Sequence, residues 1–270
     1  MYVNPNSVDA LRSVRRMELK SKSAFCGGFY HESESVLLGG SDMVPDPHFN
    51  RVSVLYPEKL DRNLLAECTD RMVKDVPMFL DVPHPVSDAL GEFLTQRGYH
   101  PTGESRSSML LTNSVPAVGR AKGLDISLAG PETLDVFLEL FLRGFQTPED
   151  LIPLATAMFH DLVPQNLHSG NSRLYLGTYR GEPACTLYLF FEGGEGGINM
   201  VSTKESLRGK GLATAMMQRT MEDAQKLGVH LLGLEARWNG APERLYRKLG
   251  FTTICRHEVF TNVSDVSYGL

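Results

Sequence analysis

The chain has 270 residues, a length that allows one large domain or two domains of moderate size. Hydrophobic residues make up 42% of it, enough for a sizeable core, which argues against a disordered protein. With 27 basic and 32 acidic residues the net charge is −5, which argues against a duplex nucleic-acid binder because such domains are strongly basic.

Three further features predict the compartment. No apolar run reaches the roughly 18 residues of a membrane span. Residues 1–20 are polar and lack the apolar core of a signal peptide. The four cysteines are scattered without a CxxC pair, which favours a reducing compartment and no zinc site. We therefore expect a cytoplasmic protein that binds no metal, nucleic acid or membrane.

A change of composition divides the chain. The segment TNSVPAVGRAKG, residues 112–123, combines small residues with proline and glycine and indicates a linker. The sizes on either side suit two domains. We predict an N-terminal domain at 1–115, a linker at 116–123 and a C-terminal domain at 124–270.

After the linker, hydrophobic periodicities predict elements in the order β-α-α-β-β-β-α-β-α-β. The predicted strands are 124–129, 173–179, 184–191, 198–203, 231–235 and 252–260. The predicted helices are 134–145, one that begins at Thr147 as N-cap with Pro148 at N1, 209–227, and 241–249. This order predicts an α/β fold of the α+β type, a mixed sheet with helices on its faces.

The segment VSTKESLRGKGLATAMM, residues 201–217, carries the clearest chemical signal. A strand runs into a basic turn, and the turn opens a long amphipathic helix. Free N–H groups and the dipole make a helix start an anion site. Gly209 and Gly211 let a bulky anion approach the backbone, and Arg208 and Lys210 add positive charge. The pattern predicts a phosphate or pyrophosphate ligand, although it fits neither GxxxxGK[ST] nor GxGxxG.

The pattern R-x-x-G-x-A at residues 208–213 resembles the acyl-CoA-binding motif of the GNAT N-acetyltransferase superfamily. A second segment, with Asn239, Ala241 and LYRKLGF at 245–251, resembles the second motif of that family. The resemblance covers the chain from residue 124 onward. More faintly, residues 44–55 and 91–101 resemble parts of the same fold. The resemblance implies two tandem GNAT-like domains, of which the first is degenerate and lacks the pyrophosphate turn.

The resemblance also implies a role for individual residues. Backbone groups of one strand would pair with the pantetheine arm, a turn would hold the pyrophosphate, and an asparagine would lie beside the arm. In that order these residues are Met200, Val201 and Ser202; Arg208, Gly209, Lys210, Gly211, Leu212, Ala213 and Thr214; and Asn239. Tyr246 would be the general acid that protonates the departing thiolate. Glu235 would be the general base, with a water relay as the alternative, and no metal takes part.

These roles imply an acyl-CoA-dependent N-acyltransferase. It would transfer acetyl from acetyl-CoA, by direct attack, to a primary amine of a small molecule or peptide. Succinyl- and propionyl-CoA stay open as donors, and the negative net charge favours a cationic acceptor. We expect a monomer or homodimer. The alternative is a non-catalytic module that binds or senses acyl-CoA.

Overall fold

Within the part of the chain that the structure describes, eleven strands form one continuous mixed sheet with helices on both faces. The computed structural model describes residues 7–74, 76–113, 121–166 and 170–263. The helices are α1 Val8–Cys26, α2 Arg62–Arg71, α3 Asp88–Thr95, α4 Leu134–Gly144, α5 Ile152–Asn166, α6 Leu212–Lys226 and α7 Ala241–Lys248. Within the described ranges no helix is both long enough and apolar enough to cross a membrane.

The strands follow the spatial order β1-β2-β3-β4-β11-β5-β10-β9-β8-β7-β6. Their bounds are β1 Phe29–Glu32, β2 Val36–Gly40, β3 Arg51–Val54, β4 Phe79–Pro83, β5 His100–Leu111, β6 Leu124–Leu128, β7 Ser172–Tyr179, β8 Glu182–Glu192, β9 Glu195–Thr203, β10 Leu231–Arg237 and β11 Phe251–Thr261. The element order predicted after the linker is confirmed, as are the helix and strand at 91–101. Most of the predicted linker lies outside the described residues.

Two strands, one from each part of the chain, pair with strands across the predicted domain boundary. Strand β5, from the N-terminal part, pairs with both β10 and β11 of the C-terminal part. Strand β11, the last of the chain, lies between β4 and β5. Each part therefore contributes a strand to the middle of the other part's sheet. The division at residues 115 and 124 stays a prediction, but a cut there would separate strands that pair directly.

Helix α1 is an element that the sequence reasoning missed. Its apolar side chains recur every three or four positions, at Ala10, Val14 and Met17, which is a helical signal. Ser7 caps its N-terminus, its hydroxyl accepting a hydrogen bond from the backbone N–H of Ala10. The helix packs across the sheet on β2, β9 and β10, so the N-terminal part covers strands of the C-terminal part.

Two glycines allow this close approach of α1 to the sheet. A Cβ added at Gly197 on β9 would lie 3.1 Å from the Cβ of Met17, and one at Gly233 on β10 would lie 2.7 Å from a methyl group of Val14. A larger residue at either strand position would push the helix away. The absence of side chains at Gly197 and Gly233 thus sets where α1 lies over the sheet.

The side chains of the sheet form apolar clusters on its two faces. On one face, α1, α4 and α5 cover a cluster that includes Met17, Phe141 and Met200. On the other, α6 and α7 cover a cluster that includes Met216 and Tyr246. The first cluster contains residues from both parts of the chain, so the two parts share a core.

The predicted start of the helix after Thr147 is wrong. Residues 147–151 form turns instead, and α5 begins at Ile152, with Pro153 in its first turn. The amide of Thr147 donates to the carbonyl of Leu142, which closes the end of α4, and the Thr147 hydroxyl does not cap a helix. The strand predicted at 198–203 is too short at its start, because β9 already begins at Glu195.

We predict that residues 124–270 alone do not form a stable domain, because removal of 1–123 takes away β5 from between β10 and β11. The purified fragment is expected to show no cooperative thermal unfolding, whereas the full chain unfolds cooperatively. Circular dichroism and scanning calorimetry measure both. A fragment that unfolds cooperatively and binds CoA with the affinity of the full chain would contradict this prediction.

Candidate active site

A break in strand pairing opens a cleft between β9 and β10. The two strands pair in parallel from Leu231–Glu195 to Leu234–Ile198, and no pair follows. Opposite the cleft, Thr186 faces Ser202 and Tyr188 faces Asn199, so two residues of β9, Met200 and Val201, face one of β8. This bulge, with Met200 at φ 53°, bends β9 away from β10. Among the described residues, no strand pairs with the backbone of residues 199–203 on that side.

The N-terminus of α6 lies just beyond the end of β9. The N-cap residue, Gly211, provides no side-chain hydrogen bond, and the first turn has no acidic residue. Gly209 and Gly211 adopt φ values of 77° and 76°, which glycine tolerates best, and a Cβ added at either would meet no atom within 4 Å. The first N–H groups of α6 therefore lie beside open space, in a positive helix-end potential.

The residues predicted to hold the pyrophosphate are all in this turn and the first turn of α6. Arg208, Gly209, Lys210 and Gly211 are exposed, whereas Ala213 and Thr214 are partly buried. Leu212 is buried, so it offers only its backbone N–H. The Arg208 Nε donates to the carbonyl of Thr203 at 3.3 Å, which ties the turn to the end of β9. The arrangement fits a bulky anion.

A cavity of about 300 Å³ occupies the cleft. Its walls come from α1, the loop before β3, β5, α4, β9, β10 and α7, and hence from both parts of the chain. Aromatic and aliphatic side chains such as Phe49, Phe141 and Phe145 line one side. Of the predicted site residues, Met200, Val201, Glu235 and Tyr246 line the cavity.

Tyr246 reaches the cavity from α7. Its side chain is buried in the α6–α7 cluster, and its ring centroid lies 6.2 Å from that of Phe251. Burial raises the pKa of Tyr246 above its ordinary value, so the phenol is protonated at neutral pH. Among the described residues its hydroxyl has no hydrogen-bond partner, which leaves the proton available to a ligand.

Glu235 lies at the end of β10, but its surroundings differ from those of a general base. Its carboxylate accepts hydrogen bonds from Arg51 at 2.8 and 2.9 Å and from Arg106 at 3.2 Å, and it also pairs with Arg15. Burial alone raises the pKa of Glu235, but these three arginines outweigh it and hold the pKa well below the usual range. A carboxylate so stabilised as an anion accepts a proton poorly.

The arginines belong to a buried ion cluster, defined as Arg15, Glu18, Arg51, Asp81, Arg106 and Glu235. Arg15 and Arg51 are fully buried and both pair with Asp81 and Glu18. The Arg51 Nε lies 2.9 Å from Asp81 Oδ2, and the Arg15 Nε donates to the Ser53 hydroxyl at 2.7 Å. Sequence reasoning missed this cluster, because no local pattern links α1, β3 and β4 with β10.

The other predicted contacts lie outside the cavity. Asn239 is exposed in the turn before α7, at φ 56°. Its N–H donates to Glu243 Oε2 at 2.6 Å, which holds the turn in place, while the Asn239 side chain lies outside the cavity lining. Ser202 donates to the carbonyl of Leu140 at 2.8 Å, so only its backbone is open to a ligand. No group of three or more candidate metal-binding side chains occurs among the described residues.

A known family matches the C-terminal part of the chain. Residues 135–251 match the model of the acetyltransferase (GNAT) family, a segment that runs from α4 to the start of β11. This segment is a GNAT acetyltransferase domain. GNAT acetyltransferases use acetyl-CoA, and the family match supports acyl-CoA-dependent acetyl transfer in general. No curated protein sequence matches the chain.

Solved structures extend the GNAT likeness beyond this segment. A GCN5-related N-acetyltransferase from Kribbella flavida has a TM-score of 0.65 at 13% identity, covering 95% of this chain and 96% of its own. One from Sphaerobacter thermophilus has a TM-score of 0.58 at 17% identity, covering 96% of this chain and 93% of its own. A tandem GNAT protein from the clavulanic acid biosynthesis pathway has a TM-score of 0.57 at 15% identity, covering 96% of each chain. These likenesses show a shared fold over nearly the whole chain.

We predict that negative charge at the start of α6 weakens CoA binding. Gly211→Asp and Gly211→Asn are matched variants, since the side chains are nearly isosteric and both tolerate positive φ better than most. The aspartate should raise the Kd for CoA at least tenfold over the asparagine, about 1.4 kcal/mol, by repelling the pyrophosphate. Titration calorimetry at low salt measures both, with thermal unfolding as the check on folding. Equal affinities would contradict an anion site here.

Proposed function

We propose that this protein is an acyl-CoA-dependent N-acyltransferase that moves acetyl from acetyl-CoA to a primary amine of a small molecule or peptide. The observation that carries the proposal is the continuity of the cleft. The free side of β9 at Met200–Ser202 leads from the uncapped start of α6 to the cavity, where Tyr246 lies. An extended arm with an anion at one end and a thioester at the other fits this path.

Each part of the path has a physical role. The amides of an extended pantetheine arm would pair with β9 as an additional strand would. Backbone N–H groups near Val201 would polarise the thioester carbonyl as charge develops on its oxygen. Tyr246, protonated at neutral pH, would give its proton to the departing thiolate. Attack by the amine is direct, so no covalent enzyme intermediate forms.

The acceptor end of the cavity combines aromatic walls with charged groups. Glu18 and Glu104 line it, together with Lys22, Arg106 and Arg237. Glu18 pairs with Arg15 and Arg51 in the ion cluster, whereas Glu104 lies 3.6 and 3.7 Å from the nitrogens of Arg106 and Arg237. The partly exposed carboxylate of Glu104 favours an amine that arrives as an ammonium ion. The four cysteines are all free thiols, which supports a reducing, cytoplasmic setting.

The test is a screen for thiol release from acetyl-CoA with four amines: spermidine, kanamycin, a lysine-containing peptide and phenethylamine. Mass spectrometry identifies the acetylated product. The proposal predicts faster release with at least one amine than with buffer alone. CoA binding without transfer to any of them would favour the non-catalytic module, which the poor basicity of Glu235 also suits.

For the fastest amine, we predict that Tyr246→Phe lowers kcat by about 10²- to 10⁴-fold, because the general acid is lost. The Kd for CoA should stay nearly unchanged, since the ring still packs on Phe251. Tyr56→Phe is the matched control, because this substitution also removes one hydroxyl, from a residue that does not line the cavity. Steady-state kinetics and calorimetry separate the two effects. An unchanged kcat in Tyr246→Phe would make Tyr246 a packing residue.

A further inference from the structure

A histidine in the loop before β3 lies on the wall of the same cavity. His48 belongs to a loop, residues 41–50, that the side chain of Asn50 holds together. Asn50 accepts from the N–H of Ser41 at 3.0 Å and donates to the carbonyls of Val44 and Asp46 at 2.8 and 3.0 Å. The neighbouring Phe49 is buried in the α1–α4–α5 cluster. The loop is therefore a fixed part of the wall.

Asp46 fixes the orientation of the His48 ring. One carboxylate oxygen, Oδ1, accepts the backbone N–H of His48 at 2.7 Å and lies 2.9 Å from its Nδ1. The proton is therefore on Nδ1, and Nε2 is the acceptor nitrogen. The ring also packs edge-on against Phe79, with centroids 5.0 Å apart. Among the described residues nothing hydrogen bonds to Nε2.

Burial and two neighbouring cations favour the neutral form of His48. Burial lowers its pKa below the usual value, the hydrogen bond with Asp46 raises it, and Arg106 and Lys22 lower it. The remaining charged groups on the cavity wall are Glu18, Glu104, Glu235 and Arg237. A neutral imidazole at pH 7 can accept a proton, whereas Glu235, held as an anion by three arginines, cannot do so readily.

His48 and Tyr246 reach the cavity from opposite faces of the sheet. The loop with Phe49 packs into the cluster under α1, α4 and α5, whereas Tyr246 packs into the cluster under α6 and α7. The cleft between β9 and β10 connects the two faces. An amine that enters on one face would attack the thioester carbon while the thiolate departs toward the other, so a base on the first side and an acid on the second can each reach the group they serve.

We propose that His48 is the general base of the acyl transfer, with Asp46 as its positioning residue; this inference rests on the proposed N-acyltransferase function. Nε2 takes one proton from the acceptor ammonium, and Asp46 stabilises the imidazolium. The C–N bond then forms and the C–S bond breaks. Tyr246 protonates the thiolate and regains a proton from the new amide nitrogen. His48 releases its proton to solvent, so the reaction yields one amide, one thiol and one proton.

The test compares two acceptors in wild type, His48→Gln and a control, His100→Gln, whose histidine is exposed at the start of β5 outside the cavity lining. One acceptor is the fastest of the four screened amines. The other is hydroxylamine, which is neutral near pH 7 and needs no proton removed before attack. His48→Gln should lose about 10²- to 10⁴-fold in rate with the first and much less with hydroxylamine. His100→Gln should match wild type with both.

The outcomes separate the two proposals. Wild type without transfer to any amine would overturn the proposed function, and the role of His48 with it. An active wild type with an equally active His48→Gln would overturn the role of His48 alone. Equal losses with both acceptors would also overturn it, because they indicate damage to folding or CoA binding, which thermal unfolding and calorimetry would show.

A pH profile tests the part of Asp46. The rate depends on unprotonated His48, so it should fall as pH drops below the pKa of the imidazole. Since Asp46 raises that pKa, Asp46→Asn should move the acid limb of kcat/KM to lower pH. An acid limb that stays in place in Asp46→Asn, or that persists in His48→Gln, would contradict the assignment.

Discussion

Arg15 and Arg51 lie fully buried between the carboxylates of Glu18, Asp81 and Glu235. Removing charges from water is costly, and the geometry offsets that cost only because each guanidinium meets several carboxylate oxygens. Loss of one partner would leave an unpaired buried charge, which typically costs about 3–5 kcal/mol. The cluster joins α1, β3 and β4 of the N-terminal part to β10 of the C-terminal part. It therefore holds the two walls of the cavity together.

The contacts between the two parts of the chain explain the position of the candidate active site. Strand exchange puts β5 beside β10, and the glycines at 197 and 233 bring α1 down onto β9 and β10. The β9 bulge then opens a cleft that the N-terminal part closes on one side with the 41–50 loop. The GNAT segment supplies the proposed anion site and Tyr246, whereas the N-terminal part supplies His48. Neither part alone contains all the groups that the proposed reaction uses.

The sequence predicted the local features of the molecule well and its long-range contacts poorly. The turn at 208–214 and the element order after residue 124 follow from short patterns, because glycine conformations and apolar periodicities are local properties. The environment of Glu235 is not local. Its partners Arg15 and Arg51 lie 220 and 184 positions away, so the spacing of the motif could not show that its carboxylate is neutralised. The same holds for β5, because the sequence of residues 100–111 does not show which strands pair with it. The late start of α5 was missed because Thr147-Pro148 resembles a helix start yet closes the preceding helix instead.

A crystal structure of the full chain with acetyl-CoA tests the central claim most directly, namely that both parts of the chain build one acyl-transfer site. The account predicts one molecule per chain, with its pyrophosphate at the N–H groups of residues 209–214 and its pantetheine along residues 200–202. The acetyl group would lie in the cavity between Tyr246 and His48. A pyrophosphate bound elsewhere, or an acetyl group that lies away from the 41–50 loop, would contradict it.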